Sequence, residues 1–118
     1  MLNLSEAAAL ENRKNNVRRS TRLSLRIPIV ITSLDPAHIF SGRYDTAVVN
    51  AHGCGILLPE LLETGKPVSV QLISSGRSKN GRIVLAISIA EDASWLLGVE
   101  FDIPESNFWE VENPPADW

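Results

Sequence analysis

Apolar and polar positions alternate with a period of two along most of the chain after residue 22. Successive side chains of a β-strand point to opposite faces, so this pattern predicts strands that bury one face. Turn residues separate the alternating segments, and no long amphipathic helix is indicated. The predicted strands are residues 23–32, 43–49, 55–58, 68–73, 83–89 and 94–101. The pattern therefore predicts an all-β fold, a closed six-stranded antiparallel β-barrel.

One residue and one polar run add detail to this prediction. Pro28 has no N–H for a strand ladder, so the first strand is expected to lie at an edge or to bulge there. The polar run 74–81, with two glycines, is expected to be a hairpin loop.

The two ends of the chain differ from its middle. Residues 1–16 are predicted to be a flexible leader, with a short helical stretch that Ser5 caps. Residues 17–112 are predicted to be the barrel domain, which closes with a short C-terminal helix over 105–111. That helix would pack Phe108 and Trp109 against the barrel. Residues 113–118 are predicted to be a tail.

Size and composition set the class of protein. A chain of 118 residues, 44% hydrophobic and 21% charged, fits one folded domain. Cys54 is the only cysteine, which excludes an internal disulfide and favours a reducing compartment. The chain shows no signal peptide, and no run approaches the ~20 apolar residues that span a bilayer. We therefore expect a cytoplasmic protein without a membrane span.

Charge is distributed unevenly. Residues 1–43 hold seven basic and three acidic groups, whereas residues 44–118 hold four basic and eleven acidic groups. The net charge of −3 argues against a general nucleic-acid binder, which would more often be basic. A local anion site near the front of the chain fits this asymmetry better.

Three arginines, Arg18, Arg19 and Arg22, precede the first predicted strand in what we call the arginine segment, residues 18–22. A guanidinium donates two parallel hydrogen bonds to a phosphate or to the edge of guanine, and it can stack on a base. The segment therefore indicates a site for a doubly charged, guanine-bearing ligand. The alternative is a solvated basic turn.

Residues 50–55, the turn segment, follow the second predicted strand. The side chain of Asn50 can hydrogen-bond its own turn, and Gly53 and Gly55 allow positive φ angles and close approach to a ligand. The alternative is a tight turn that needs both glycines for its own geometry.

Taken together, the two segments resemble the PilZ domain family. Its pattern is Arg-x-x-x-Arg just before the first strand and Asp/Asn-x-Ser-x-x-Gly after the second. Residues 97–101 also resemble the family's last strand, so the likeness covers about residues 17–110. It implies a six-stranded β-barrel with a C-terminal helix. It also implies binding of the bacterial second messenger cyclic di-GMP, in the family often as an intercalated dimer.

The resemblance assigns roles to individual residues. Arg18 and Arg22 would clamp phosphates and guanine edges, and Arg19 would add stacking or charge. Asn50 would hydrogen-bond a guanine edge. Gly55 would keep the turn open for the base.

His52 departs from the pattern, because the family has serine at this position. Imidazole is larger than a hydroxyl, and it can either donate a hydrogen bond to the ligand or block its place. We therefore predict a ligand-binding site of seven residues: Arg18, Arg19, Arg22, Asn50, His52, Gly53 and Gly55.

Three functions remain open at this stage. The first is a cyclic di-GMP receptor that signals to a protein partner when ligand orders residues 13–22 over the barrel. The second is a PilZ-like adaptor that has lost the nucleotide because of His52 and docks on a protein. The third is a small nucleic-acid-binding barrel, which the acidic net charge disfavours.

No enzyme, metal site or cofactor is predicted. Two histidines and one cysteine are too few for a convincing metal site. His52 and Cys54 lie two apart on a turn, where side chains seldom meet, and no third group orients them as a nucleophilic pair.

Overall fold

The alternating segments form six strands in the structure, a computed structural model that describes residues 20–89 and 94–118. The strands are β1 (Pro28–Ser33), β2 (Ser41–Asn50), β3 (Gly53–Leu58), β4 (Pro67–Leu72), β5 (Ser78–Ile89) and β6 (Ser94–Phe101). They close into a barrel in the order β1-β2-β3-β6-β5-β4, and every neighbouring pair is antiparallel. The predicted six-stranded antiparallel barrel is confirmed.

The period of two places one face of each strand in a shared core. In β4, for example, Val68, Val70 and Leu72 are buried while Gln71 between them is exposed. In β1, Ile29 and Ile31 are fully buried and pack in the same cluster. Burial of these side chains is the main force that closes the barrel.

The polar residues 78–81 are not a loop, as we had predicted, but the first part of β5. They pair with β4, where Gln71 lies opposite Ser78 and Val68 opposite Gly81. A strand pairs through its backbone, so a polar stretch can extend a sheet wherever a neighbouring strand supplies the partners. The loop between β4 and β5 is correspondingly shorter, residues 73–77.

The prediction of an edge or a bulge at Pro28 is also wrong. In the closed barrel β1 has a neighbour on both sides. Pro28 is the first residue of the strand, a position where the missing N–H removes no bond from the ladder. Its carbonyl still accepts a bond from the N–H of Ile73 at 3.3 Å.

The predicted C-terminal helix does not form in residues 105–111; the chain makes successive turns instead. Bonds from Phe108 N to Glu105 O and from Glu110 N to Asn107 O span three residues, as in isolated turns. Glu110 has a φ of 58°, which ends any right-handed helix at that residue.

The packing predicted for this segment is nonetheless confirmed. Phe108 and Trp109 are buried, and their rings pack against each other and against Phe101 at the end of β6.

Other predictions fall on residues that the structure does not describe. They are the leader 1–16, with its helical stretch after Ser5, together with Arg18 and Arg19 of the arginine segment. In the described ranges, no helix has the length and apolar character needed to cross a membrane.

Candidate ligand-binding site

Residues 23–27 run alongside β2 and carry the chain from the arginine segment into β1. Thr46 of β2 is buried, and its hydroxyl accepts a bond from Ile27 N–H at 2.9 Å and donates one to Leu25 O at 2.6 Å. Leu23 and Val49 exchange two backbone bonds of 2.9 Å. Because residues 23–27 run antiparallel to β2, residues 20–22 reach the end of β2, where the turn segment begins.

Ser20 makes the contact between the two segments. It is fully buried, and its hydroxyl lies 3.3 Å from Nδ1 of His52. Arg22, two residues later, is partly buried. The structure therefore brings the described end of the arginine segment against the turn segment. Residues 20–22 are already packed on the barrel, so any ordering by ligand concerns residues before Ser20.

The turn between β2 and β3 is held by its own side chain, as predicted for Asn50. The Oδ1 atom of Asn50 accepts a bond from the N–H of His52 at 2.9 Å, which closes an Asx turn.

The C-terminal part of the chain holds the same turn from outside. Three consecutive carbonyl oxygens of the turn accept bonds from it. These bonds join Trp109 Nε1 to Asn50 O at 2.8 Å, Glu105 N to Ala51 O at 3.0 Å and Phe101 N to His52 O at 2.7 Å. The turn is thus preorganised. Sequence reasoning missed this support, although the indole N–H of a buried tryptophan requires an acceptor.

Gly53 and Gly55 of the turn segment do not use the positive φ angles that glycine allows; among the described glycines only Gly65 and Gly76 have positive φ. A Cβ on Gly53 would overlap the carbonyl oxygen of Val99, so glycine is required because β6 passes too close. A Cβ on Gly55 would lie 2.8 Å from Cγ1 of Val48. Strand packing therefore accounts for both glycines, and their contact with a ligand stays a prediction.

The last two residues of the chain contact the arginine segment. Oδ2 of Asp117 accepts bonds from both the N–H and the hydroxyl of Thr21, at 2.8 and 2.9 Å. Nε1 of Trp118 donates to Thr21 O at 2.6 Å. Sequence reasoning treated both residues as tail and missed these contacts, for which no local pattern gives a signal.

A groove of about 460 Å³ lies beside the segment 23–27 on the barrel wall. It is lined by Arg26, Tyr44, Asp45, Thr46, Ala47 and Leu57. Residues 44–47 of β2 line this groove, and the same strand ends at Asn50, where the turn segment begins.

Comparison with known proteins supports the fold. No family model and no curated protein matches the chain. The structure of the Bacillus subtilis inhibitor of motility (MotI/DgrA) superposes with a TM-score of 0.61 at 10% identity, over 80% of this chain and 46% of that one. The K. pneumonia MrkH–c-di-GMP complex superposes with a TM-score of 0.59 at 15% identity, over 75% of this chain and 46% of that one. The chain has a PilZ-like fold.

This PilZ-like chain spans about half the length of those two solved structures. A weaker likeness, with a TM-score of 0.49 at 20% identity, joins it to the PilZ domain of CeSA from a cellulose-synthesizing bacterium, over 73% of this chain and 84% of that one. At such identities the likeness concerns the fold alone.

Other chemistry-bearing side chains of the PilZ-like domain have structural surroundings. Cys54 is buried, and burial raises the pKa of its thiol far above the ordinary range, so it stays protonated and is unsuited to be a nucleophile. Nε2 of His38 lies 2.7 Å from Oε2 of Glu60 in an exposed pair. Within residues 20–89 and 94–118, no three His, Cys, Asp or Glu side chains group together as metal ligands.

Proposed function

We propose that this PilZ-like domain is a cyclic di-GMP receptor whose site lies between the arginine segment and the turn segment. The observation that carries the proposal is the contact of Ser20 with His52, 3.3 Å apart, beside the pairing of Leu23 with Val49. These contacts support the idea that arginines before β1 and the turn after β2 border one anion site. The MrkH structure with a similar fold is a complex with c-di-GMP.

The ligand carries two phosphates and two guanines, and the site offers groups for each. The guanidinium of Arg22 would make charge-assisted bonds to a phosphate or to the N7 and O6 atoms of guanine. Arg18 and Arg19 lie outside the described residues, and their roles as clamp and stacking group rest on the resemblance. Asn50 would face a guanine edge, on a turn that needs no reorganisation because its carbonyls are already bonded.

A receptor of this kind needs no catalytic group, and signalling follows from a change of surface. Ligand bound between the two segments would fix the residues before Ser20 over the barrel, and a protein partner would read the new surface. The free thiol of Cys54 is consistent with a reducing, cytoplasmic setting. We place the domain there as part of the proposal. One or two ligands per domain would distinguish a single molecule from an intercalated dimer.

Titration calorimetry with cyclic di-GMP tests the proposal on the wild type, Arg22→Ala, and Arg18→Ala combined with Arg22→Ala. We expect Arg22→Ala to weaken binding about 10- to 100-fold, since one hydrogen bond to a charged group contributes about 1.5–3 kcal/mol. Arg22→Lys keeps the charge and loses the bidentate geometry, so its affinity should lie between those of the wild type and Arg22→Ala.

Arg43→Ala is the matched control, because Arg43 is an exposed arginine on β2. It should bind within about twofold of the wild type. No heat at high micromolar concentration from either the wild type or Asp117→Ala, which frees Thr21 from its bonds to Asp117, would refute the receptor function.

One observation favours the adaptor as a second candidate. The imidazole of His52 stands where the resemblance has serine, and it lies against the buried Ser20 hydroxyl, between the two segments. If it fills the ligand's place, His52→Ser should create binding that the wild type lacks. Binding by both proteins supports the receptor, and binding by the variant alone supports the adaptor.

A further inference from the structure

Thr21 lies in the arginine segment directly before Arg22, and its two donors converge on one anionic oxygen. Its N–H and its hydroxyl both donate to Oδ2 of Asp117, at 2.8 and 2.9 Å. A phosphate oxygen accepts such bonds at the same distances as a carboxylate oxygen. The carboxylate therefore marks a position at Thr21, the chain neighbour of Arg22, where this protein can bind an anionic oxygen.

We infer that Thr21 is a phosphate-binding residue of the site and that Asp117 holds its two donors until ligand displaces the tail. This inference rests on the proposed function and adds both a binding residue and an internal competitor to it. An N–H and a hydroxyl each have one hydrogen to donate, so the carboxylate and a ligand phosphate cannot both be bonded fully. Binding of the ligand at Thr21 requires Asp117 to leave.

The tail is attached by contacts that a ligand can displace. The bonds between Thr21 and Asp117 are exposed to water, which limits their contribution to stability. Trp118 adds a partly buried bond of 2.6 Å to the carbonyl of the same residue. Once a phosphate occupies the site, its charge also repels the carboxylate of Asp117. The bound phosphate and the bound tail therefore exclude each other.

The competition should lower the apparent affinity by the fraction of molecules whose tail is open. Exposed hydrogen bonds to a charged group, such as those from Thr21 to Asp117, should lower the apparent affinity for the ligand about 3- to 10-fold. Asp117→Ala should therefore bind cyclic di-GMP about 3- to 10-fold more tightly than the wild type.

Glu112→Ala is the matched control, since Glu112 is exposed in the same C-terminal stretch and the substitution removes the same charge. It should bind within about twofold of the wild type. If calorimetry gives Asp117→Ala the same affinity as Glu112→Ala, the internal competitor is overturned.

A second pair of variants tests Thr21 itself. In the Asp117→Ala background, Thr21→Val retains the N–H and removes the hydroxyl, so the affinity should fall about 3- to 10-fold. An unchanged affinity would overturn the role of the hydroxyl of Thr21 in phosphate binding.

Displacement of the tail has its own optical signal. Ligand should move the indole of Trp118 away from Thr21 into water and shift the tryptophan emission to the red, and Trp118→Phe should lack that change. Binding without any difference between these two proteins would contradict displacement.

The outcomes separate the two proposals. If the wild type binds and Asp117→Ala binds no tighter than Glu112→Ala, only the inference fails. If neither the wild type nor Asp117→Ala binds, the receptor function fails and the inference falls with it. If Asp117→Ala alone binds, the tail is a complete block, which supports the inference.

Discussion

Removal of the Thr46 hydroxyl tests how the arginine segment is held next to the turn segment. This hydroxyl bonds both Leu25 and Ile27, and it ties residues 23–27 to β2. Thr46→Val keeps the branched shape and the packing of this buried residue and removes only the hydroxyl. The substitution should therefore loosen the lead-in to β1 without emptying the core.

The magnitude follows from the two bonds lost. An acceptor is removed from Ile27 N–H and a donor from Leu25 O, and each polar group left buried without a partner costs about 1–3 kcal/mol. Both residues are only partly buried, so water will satisfy part of this demand. We expect the free energy of unfolding to fall by about 2–3 kcal/mol. With an m-value of about 2 kcal/mol per M, the urea midpoint should fall by about 1–1.5 M.

Urea denaturation followed by tryptophan fluorescence measures this change, and Thr32→Val is the control. Thr32 lies in β1, and its hydroxyl is 3.1 Å from that of Ser41 in an exposed pair, so the loss should stay below about 0.5 kcal/mol. Under conditions where both variants are folded, Thr46→Val should also bind cyclic di-GMP more weakly. Equal urea midpoints for the two variants would refute the reasoning.

Three further predictions concern the barrel. Gly53→Ala should lower the free energy of unfolding by about 3 kcal/mol, because its Cβ would overlap a carbonyl of β6; an unchanged urea midpoint would contradict that close approach. Cys54 should resist Ellman's reagent in the folded protein and react once the chain is unfolded, because burial shields the thiol and raises its pKa. The hydrogen bond from the N–H of Ala37 and, second to it, the bond from Lys66 lower the pKa of the Asp35 carboxyl. The ionised carboxylate therefore stabilises the fold at pH values above its ordinary pKa near 3.8. Asp35→Asn should therefore be less stable than the wild type at neutral pH, and the difference should disappear as the pH falls through the lowered pKa; a constant difference in urea midpoint would argue against it.

The strands could be predicted because their signal is local. Val68, Val70 and Leu72 alternate with polar residues, and this alternation alone states which face is buried. The start of β5 could not be predicted, because Ser78 and Gly81 belong to the strand through backbone pairing with β4 and, at Gly81, also with β6. The prediction of a C-terminal helix was wrong for a related reason. Contacts of Phe108 and Trp109 with the barrel outweigh the weak helical preference of a short segment.

The candidate site shows the same division. The Asx turn of Asn50 was predicted from the residue type, because its bond to His52 spans only two residues. The reason for Gly53 was not, since the group that excludes a Cβ there belongs to β6. The sequence pointed to a glycine but assigned it to ligand approach and to a positive φ.

The amino-acid sequence by itself determined the six alternating segments, the turn at Asn50 and the position of the arginines ahead of β1, because each depends on residues that are neighbours along the chain. Only closure of the barrel decided that Ser20 meets His52 and that residues 101–109 support the turn. It also decided that Asp117 meets Thr21 across 96 positions. Contacts over such separations have no periodic signal, since they arise from the path of the whole chain and not from the preference of any one segment.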